Sequence, residues 1–189
     1  MWILDQVFLG HHEELANEEL QMGLCPSQRV ELGPLDQERD KQLNEIELRL
    51  QERLAAGFLG VKETGASIEA AILAREIERP RIEVEGRHTR AIDFAKRANT
   101  LPARIEAVYQ YAWSCFWWFE DFPKFHELYQ DLESLVISSG HPGGLRRLYT
   151  LWSLLSTLGH LHGCNREELD LNGRTQRLSD DLFQKSLDA

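Results

Sequence analysis

The 189-residue chain is poor in cysteine: Cys25, Cys115 and Cys164 are its only three. An odd number in no recognisable spacing excludes a disulfide framework and a zinc ribbon, and it points to a reducing compartment. Positive charge is also short. Lys and Arg number 21 against 31 Asp and Glu, a formal net charge of −10. That balance argues against a general nucleic-acid binder, because phosphate contacts need a positive face, and against docking on anionic lipid. No run is an adequate transmembrane span. The opening MWILDQVFLG has no basic n-region and carries Asp5 in its apolar run, so it does not read as a signal peptide. These absences lead to the expectation of a cytoplasmic protein with no nucleic acid, membrane or cofactor among its partners.

A phosphate loop is missing too. Gly57–Ser67, GFLGVKETGAS, is rich in glycine, but Gly65 is followed by Ala66 where a P-loop needs Lys and then Ser or Thr. The segment is expected to be a plain loop.

What the sequence has is helical periodicity, densest between Pro102 and Gly140. That stretch holds three of the five tryptophans, and Glu106 is the one charge between Arg104 and Glu120. Ile105, Val108, Ala112, Cys115 and Phe119 form one stripe; Tyr109, Trp113, Phe116 and Trp117 form another beside it. A helix apolar on nearly all sides must be covered on nearly all sides. Pro123 stops it, and a second helix follows with Phe125, Leu128, Tyr129, Leu132 and Leu135/Val136 inward. This is an αα-hairpin.

Around it the sequence reads as an N-terminal arm and loop over 1–35, then a helical domain over 36–189. Hairpin units are expected near 68–99, 103–138 and 145–187. Asp36 caps a helix to about Ala56, whose narrow stripe (Leu43, Ile46, Leu50, Leu54) fits one neighbouring helix or a homodimer contact through 36–56. Ile68 to Arg79 is helical, Arg81 to Gly86 alternates as a brief extended piece, and His88 to Asn99 is helical again. Leu145 to His162 is a second helix to be buried on most sides, Asn172-Gly173 is a turn, and Ser179 caps a last helix from Asp180 to Leu187.

The segment WWFEDFPKFHELYQDL resembles a tetratricopeptide repeat. In that family the second helix brings in a small residue, an aromatic and another small residue; here those places hold Phe125, Tyr129 and Leu132. Upstream, HTRAIDFAKRANTLP carries the same places as Ala91, Ala95 and Ala98, followed by Pro102. Ala91 to Phe125 is 34 residues, the period of that repeat. At the glycine position of the first helix the sequence has Arg79 and Trp113 instead. The resemblance covers roughly Ile68 to Ser139. It implies an all-α fold of stacked antiparallel hairpins, a short solenoid or helical bundle with an N-terminal arm, and a surface that binds a peptide or helix of another protein.

Reactive constellations are weak. His160, His162 and Cys164, and separately His11, His12 and Glu14, are the only clusters with metal-ligating residue types, and His162 falls off the face that His160 and Cys164 share. Ser114 and Cys115 lie mid-helix on an apolar face with no base nearby in sequence. No catalytic or metal residue is therefore assigned. The candidates for partner binding are Tyr111 and Trp118, which fall between the two inward stripes, and Arg87, Arg90 and Arg97. These arginines belong to the basic block of residues 75–104, where eight bases face five acids. That block is either a face of intrachain Glu–Arg pairs or a site for an acidic partner segment.

The expectation is a non-enzymatic protein–protein interaction module: an adaptor, assembly factor or chaperone in a larger complex. Two alternatives stay open, a small acidic inhibitor of a basic partner and a metal-dependent helical enzyme.

Overall fold

The computed structural model describes residues 33–161 and 169–187. The protein divides into two units, 1–33 and 34–189; the expected N-terminal arm lies outside the described residues. The second unit is all-α. Its helices are α1 (Pro34–Ala55), α2 (Val61–Glu76), α3 (Arg81–Arg97), α4 (Leu101–Trp117), α5 (Phe122–Ser139), α6 (Pro142–Leu161) and α7 (Leu171–Leu187). Among the described residues there is no strand.

Each of α1 to α6 packs on its neighbour in sequence, so the helices run as antiparallel hairpins. In addition α2 packs on α4 and α4 on α6, which makes the even-numbered helices a continuous inner row. Small side chains let that row close up: Ala70, Ala71 and Ala74 on α2, Ala91 and Ala95 on α3, and Ala107 and Ala112 on α4 are all sealed from solvent. Leu43, Ile46 and Leu50 of α1 form one core with Leu73, Ile77, Val84 and Phe94, and Phe119 packs against it.

The turns repeat. Residues with left-handed backbone occur at Gly57, Glu78, Asn99 and Glu120, at intervals of 21 residues. The first three close with the same pair of hydrogen bonds: Phe58 to Arg53 and Gly57 to Leu54, Arg79 to Ala74 and Glu78 to Arg75, Thr100 to Ala95 and Asn99 to Lys96, each N–H to C=O. This is the Schellman stop of a helix. One hairpin therefore spans 42 residues, longer than the 34 of the tetratricopeptide period. Ala91 sits in the middle of α3 and Phe125 in the first turn of α5, so the 34-residue spacing links different depths of two helices.

Three local expectations are corrected. The glycine-rich loop is shorter than expected, because α2 begins at Val61. The Gly60 N–H donates to Glu63 Oε2 at 2.9 Å, and Glu63 also takes Arg53 at 2.9 Å, which anchors the helix start. Gly65 rides on the exposed side of α2 with nothing near the position of a Cβ. The expected extended piece Arg81–Gly86 is the first turns of α3, launched by Pro80; Val84 is buried and Ile82 is left 80% exposed. Asn172-Gly173 is not a turn but the start of α7, which is one helix from Leu171 to Leu187.

Elsewhere the break expected between the two central helices is found between Trp117 and Phe122. Asp121 Oδ1 accepts the Lys124 N–H at 3.0 Å to cap α5, and Gly140, at φ 62°, ends it. Ion pairs tie helices two apart: Asp40 of α1 to Arg79 in the α2–α3 turn, Arg81 of α3 to Asp121 before α5, and Glu106 of α4 to Arg147 of α6.

Candidate functional site

The most unusual chemistry lies between α2, α3 and α4. Arg75 stands on the inward stripe of α2 and is only 6% exposed. Its Nη1 donates to Ser114 Oγ of α4 at 3.2 Å, and the guanidinium lies over the indole of Trp118, 4.3 Å from the ring centre. His88 of α3, which is 1% exposed, places Nε2 2.8 Å from the same Ser114 oxygen and stacks its ring on Tyr111. Ser114 also donates its hydroxyl proton back to the Gln110 carbonyl at 2.9 Å.

That last bond fixes the chemistry of the group. A hydroxyl has one proton and two lone pairs. With the proton on Gln110, the oxygen accepts from Arg75 and from His88, so His88 carries its hydrogen on Nε2. Burial and then the Arg75 charge push the His88 pKa down to about 3, which keeps the ring neutral. A histidine that donates to the serine does not draw its proton away. The serine–histidine pair is thus wired as a structural link and not as an activated nucleophile. Cys115 beside it is buried, and its thiol is pushed up to about 12 by burial.

Arg75 itself is left incomplete. Its Nε has no hydrogen-bond partner, and burial lowers its pKa. The carboxylate whose charge acts on it, Glu76, is held by Arg39 at 3.4 Å. The other buried arginine, Arg174 of α7, makes the contrast. It lies 3.7 Å from the Glu133 carboxylate and 3.1 Å from His126 Nε2, over the ring of Tyr129. Arg174 has a carboxylate within 4 Å, although its own Nε and Nη1 also lack hydrogen-bond partners; among the described residues no carboxylate lies that close to Arg75.

The residues singled out from sequence fall in three places. Tyr111 belongs to the core, 7% exposed and stacked on His88. Trp118 is 44% exposed and joins Arg75. Arg87 and Arg90 reach across to α1, where both hold Glu47, at 2.9 Å and 2.8 Å, and Arg90 also donates to Ser67. Burial would raise the Glu47 carboxyl, but the hydrogen bonds and charges of Arg90 and Arg87 hold it below the usual range. Arg97 is exposed in the last turn of α3.

His11, His12, Glu14, His162 and Cys164 lie outside the described residues, as does the side chain of His160. Among the described residues no group of three or more His, Cys, Asp or Glu is placed to hold a metal ion, and no helix is long and apolar enough to cross a membrane. A concavity of about 420 Å³ lies between α1 and α2, lined by Ile46, Leu50 and Ala66 and by Arg49, Lys62 and Glu69.

Sequence reasoning put Ser114 on an apolar helix face and left Arg75 in the basic block; it did not join them, since they are 39 residues apart. His88 passed unnoticed. Its signal was its position, four after Val84 and three before Ala91, a titratable residue in an otherwise apolar register.

The class of protein defined by these features is an all-α stack of antiparallel hairpins with a buried cation at its inner row. Set against known protein families, curated proteins and solved structures, the sequence and fold match none.

Proposed function

We propose that the protein is a non-enzymatic protein–protein interaction module, in which Trp118 anchors a segment of a partner protein. The observation that carries this is Trp118 itself: a tryptophan 44% exposed at the C-terminal cap of the most apolar central helix, backed by a buried guanidinium. Aromatic anchors with rigid backing are where binding energy concentrates at interfaces. Stacked helical hairpins typically present such anchors to peptides or helices of other proteins. An adaptor, assembly factor or cytoplasmic chaperone role follows from this reading. The pairing of Arg87 and Arg90 with Glu47 turns two of the candidate basic contacts inward, so the weight falls on Trp118.

The test is affinity purification of the full-length protein from its source, followed by native mass spectrometry, with Trp118→Ala in parallel. A partner of defined mass held by the wild type and lost from the variant, with an unchanged melting temperature, is the expected outcome. A partner held equally by both removes Trp118 as the anchor and the proposal with it.

A further inference from the structure

We infer that Arg75 is the receptor for a single carboxylate, presented by the ligand that docks on Trp118. This rests on the interaction reading above and names the chemistry that the site would select.

A guanidinium offers two forked edges, and a carboxylate pairs best by taking two parallel N–H bonds from one of them. Ser114 takes Nη1. The edge left is that of Nε and Nη2, and its Nε is buried without a hydrogen-bond partner. The surroundings supply no substitute. His88 is an uncharged donor turned to Ser114, Tyr109 is half-buried nearby, and Glu76 is claimed by Arg39. A buried cation without a counter-ion is costly, and an anion that arrives from outside removes that cost.

The size and charge of the anion follow from the same residues. One guanidinium under one indole compensates one negative charge. A phosphate dianion calls for several donors or cations, and the protein as a whole carries −10. Access is over Trp118. The indole, on the C-cap residue that follows α4, lies over the guanidinium and is itself 44% exposed, so a ligand seated on Trp118 reaches the solvent side nearest Arg75.

Two sources can present a carboxylate, an acidic side group or a free C-terminus, and the experiment separates them. The Arg75 Nε–H resonance, assigned by its loss in Arg75→Met, is followed by NMR in the full-length protein. The probes are sodium acetate, a blocked pentapeptide with one central aspartate, and a neutral pentapeptide with a free C-terminus. Sodium phosphate and sodium chloride serve as controls. The expected result is a saturable shift with acetate and at least about tenfold tighter binding of one peptide, which identifies the source. The shift should vanish in Arg75→Met, which removes an unpaired buried charge and keeps volume. Arg75→Lys, which keeps the charge without the fork, should bind at least about tenfold more weakly than wild type.

Three results overturn the inference: no saturable shift up to about 100 mM acetate, an equal response to phosphate, or an Nε–H already hydrogen-bonded in the free protein. Failure of this inference is separable from failure of the functional reading. If the partner captured by the wild type survives Arg75→Met but not Trp118→Ala, the carboxylate site falls and the anchor stands. If it survives both, the anchor falls.

Discussion

The rings of His88 and Tyr111 lie face to face, with centroids 5.0 Å apart and planes 4° from parallel. The pair joins α3 to α4 directly beside Arg75, and it holds a histidine where protonation is unfavourable. His88 has its pKa lowered from 6.5 to about 3, by burial first and by the Arg75 charge second.

A pH dependence follows. Between about 6.5 and 3 the unfolded state binds a proton at this residue that the folded state does not. Stability is therefore complete above the unfolded value and falls as pH drops through that window, by about 1.4 kcal/mol per pH unit at its steepest. His126 is lowered in the same direction by burial and Arg174, and adds to the slope. Urea unfolding of wild type and His88→Gln at pH 7, 6 and 5 checks this. The variant should be less stable at pH 7 but should show a clearly flatter decline. Parallel curves would mean that His88 takes up its proton as readily in the fold as in the unfolded chain.

Glu47 is the clasp between α1 and α3. One carboxylate holds two arginines, both mostly buried, and α1 has only a narrow apolar stripe to keep it in place. Glu47→Gln should cost about 1–2 kcal/mol, between an exposed and a fully buried ion pair. Since its carboxyl is held low, the contribution of Glu47 is present above the ordinary carboxylate pKa and is lost as pH falls below it. Chemical denaturation at pH 7 measures the first effect. A double-mutant cycle with Arg90→Gln measures the coupling.

Gly144 is a contact point and not a hinge. A Cβ there would meet Val136 Cγ2 at 2.8 Å and Ile105 Cδ1 at 3.0 Å, where α4, α5 and α6 converge. Gly144→Ala should destabilise by about 1–3 kcal/mol through overpacking, although alanine is the better helix former. A melting temperature equal to or above that of the wild type would show that the two side chains yield freely.

Glu78 and Glu120 adopt left-handed backbone, at φ 53° and 48°, in turns where glycine is the unstrained choice. Both are exposed. Glycine at either site should raise stability by roughly 1 kcal/mol, and the pair should add. Asn99, at φ 50°, is already a tolerated residue and should gain less. Thermal unfolding of the three single variants and the Glu78→Gly/Glu120→Gly double variant ranks them.

The parts of the fold legible in the sequence were those with local causes. The stripe of α4 and the break at Pro123 depend on residues within a few turns of one another. The start of α2 was hidden because its anchor is Glu63 acting on the backbone of a glycine and on Arg53 across the turn, a pattern without a Ser or Thr to mark it. Arg81–Gly86 misled by showing period two over a span too short to test period 3.6; the exposed Ile82 supplied the false beat. The candidate site was legible in pieces only. Ser114 could be assigned to an apolar helix face and Arg75 to a basic block, but their meeting depends on how α2 lies on α4. That register is set by alanines throughout both helices and by no motif.

Five of the cross-ties from α2 and α3 have similar sequence separations. Arg75 to Ser114, Arg79 to Asp40, Arg81 to Asp121, Arg87 to Glu47 and Arg90 to Glu47 join residues 39, 39, 40, 40 and 43 positions apart, close to the 42 of two successive turns. Each of these five links therefore fastens one hairpin step to the next and stops there. Under tension between its ends such a stack behaves as a ladder, with each rung holding only the one beside it. It would yield in increments of one step, each releasing on the order of 140 Å of extended polypeptide.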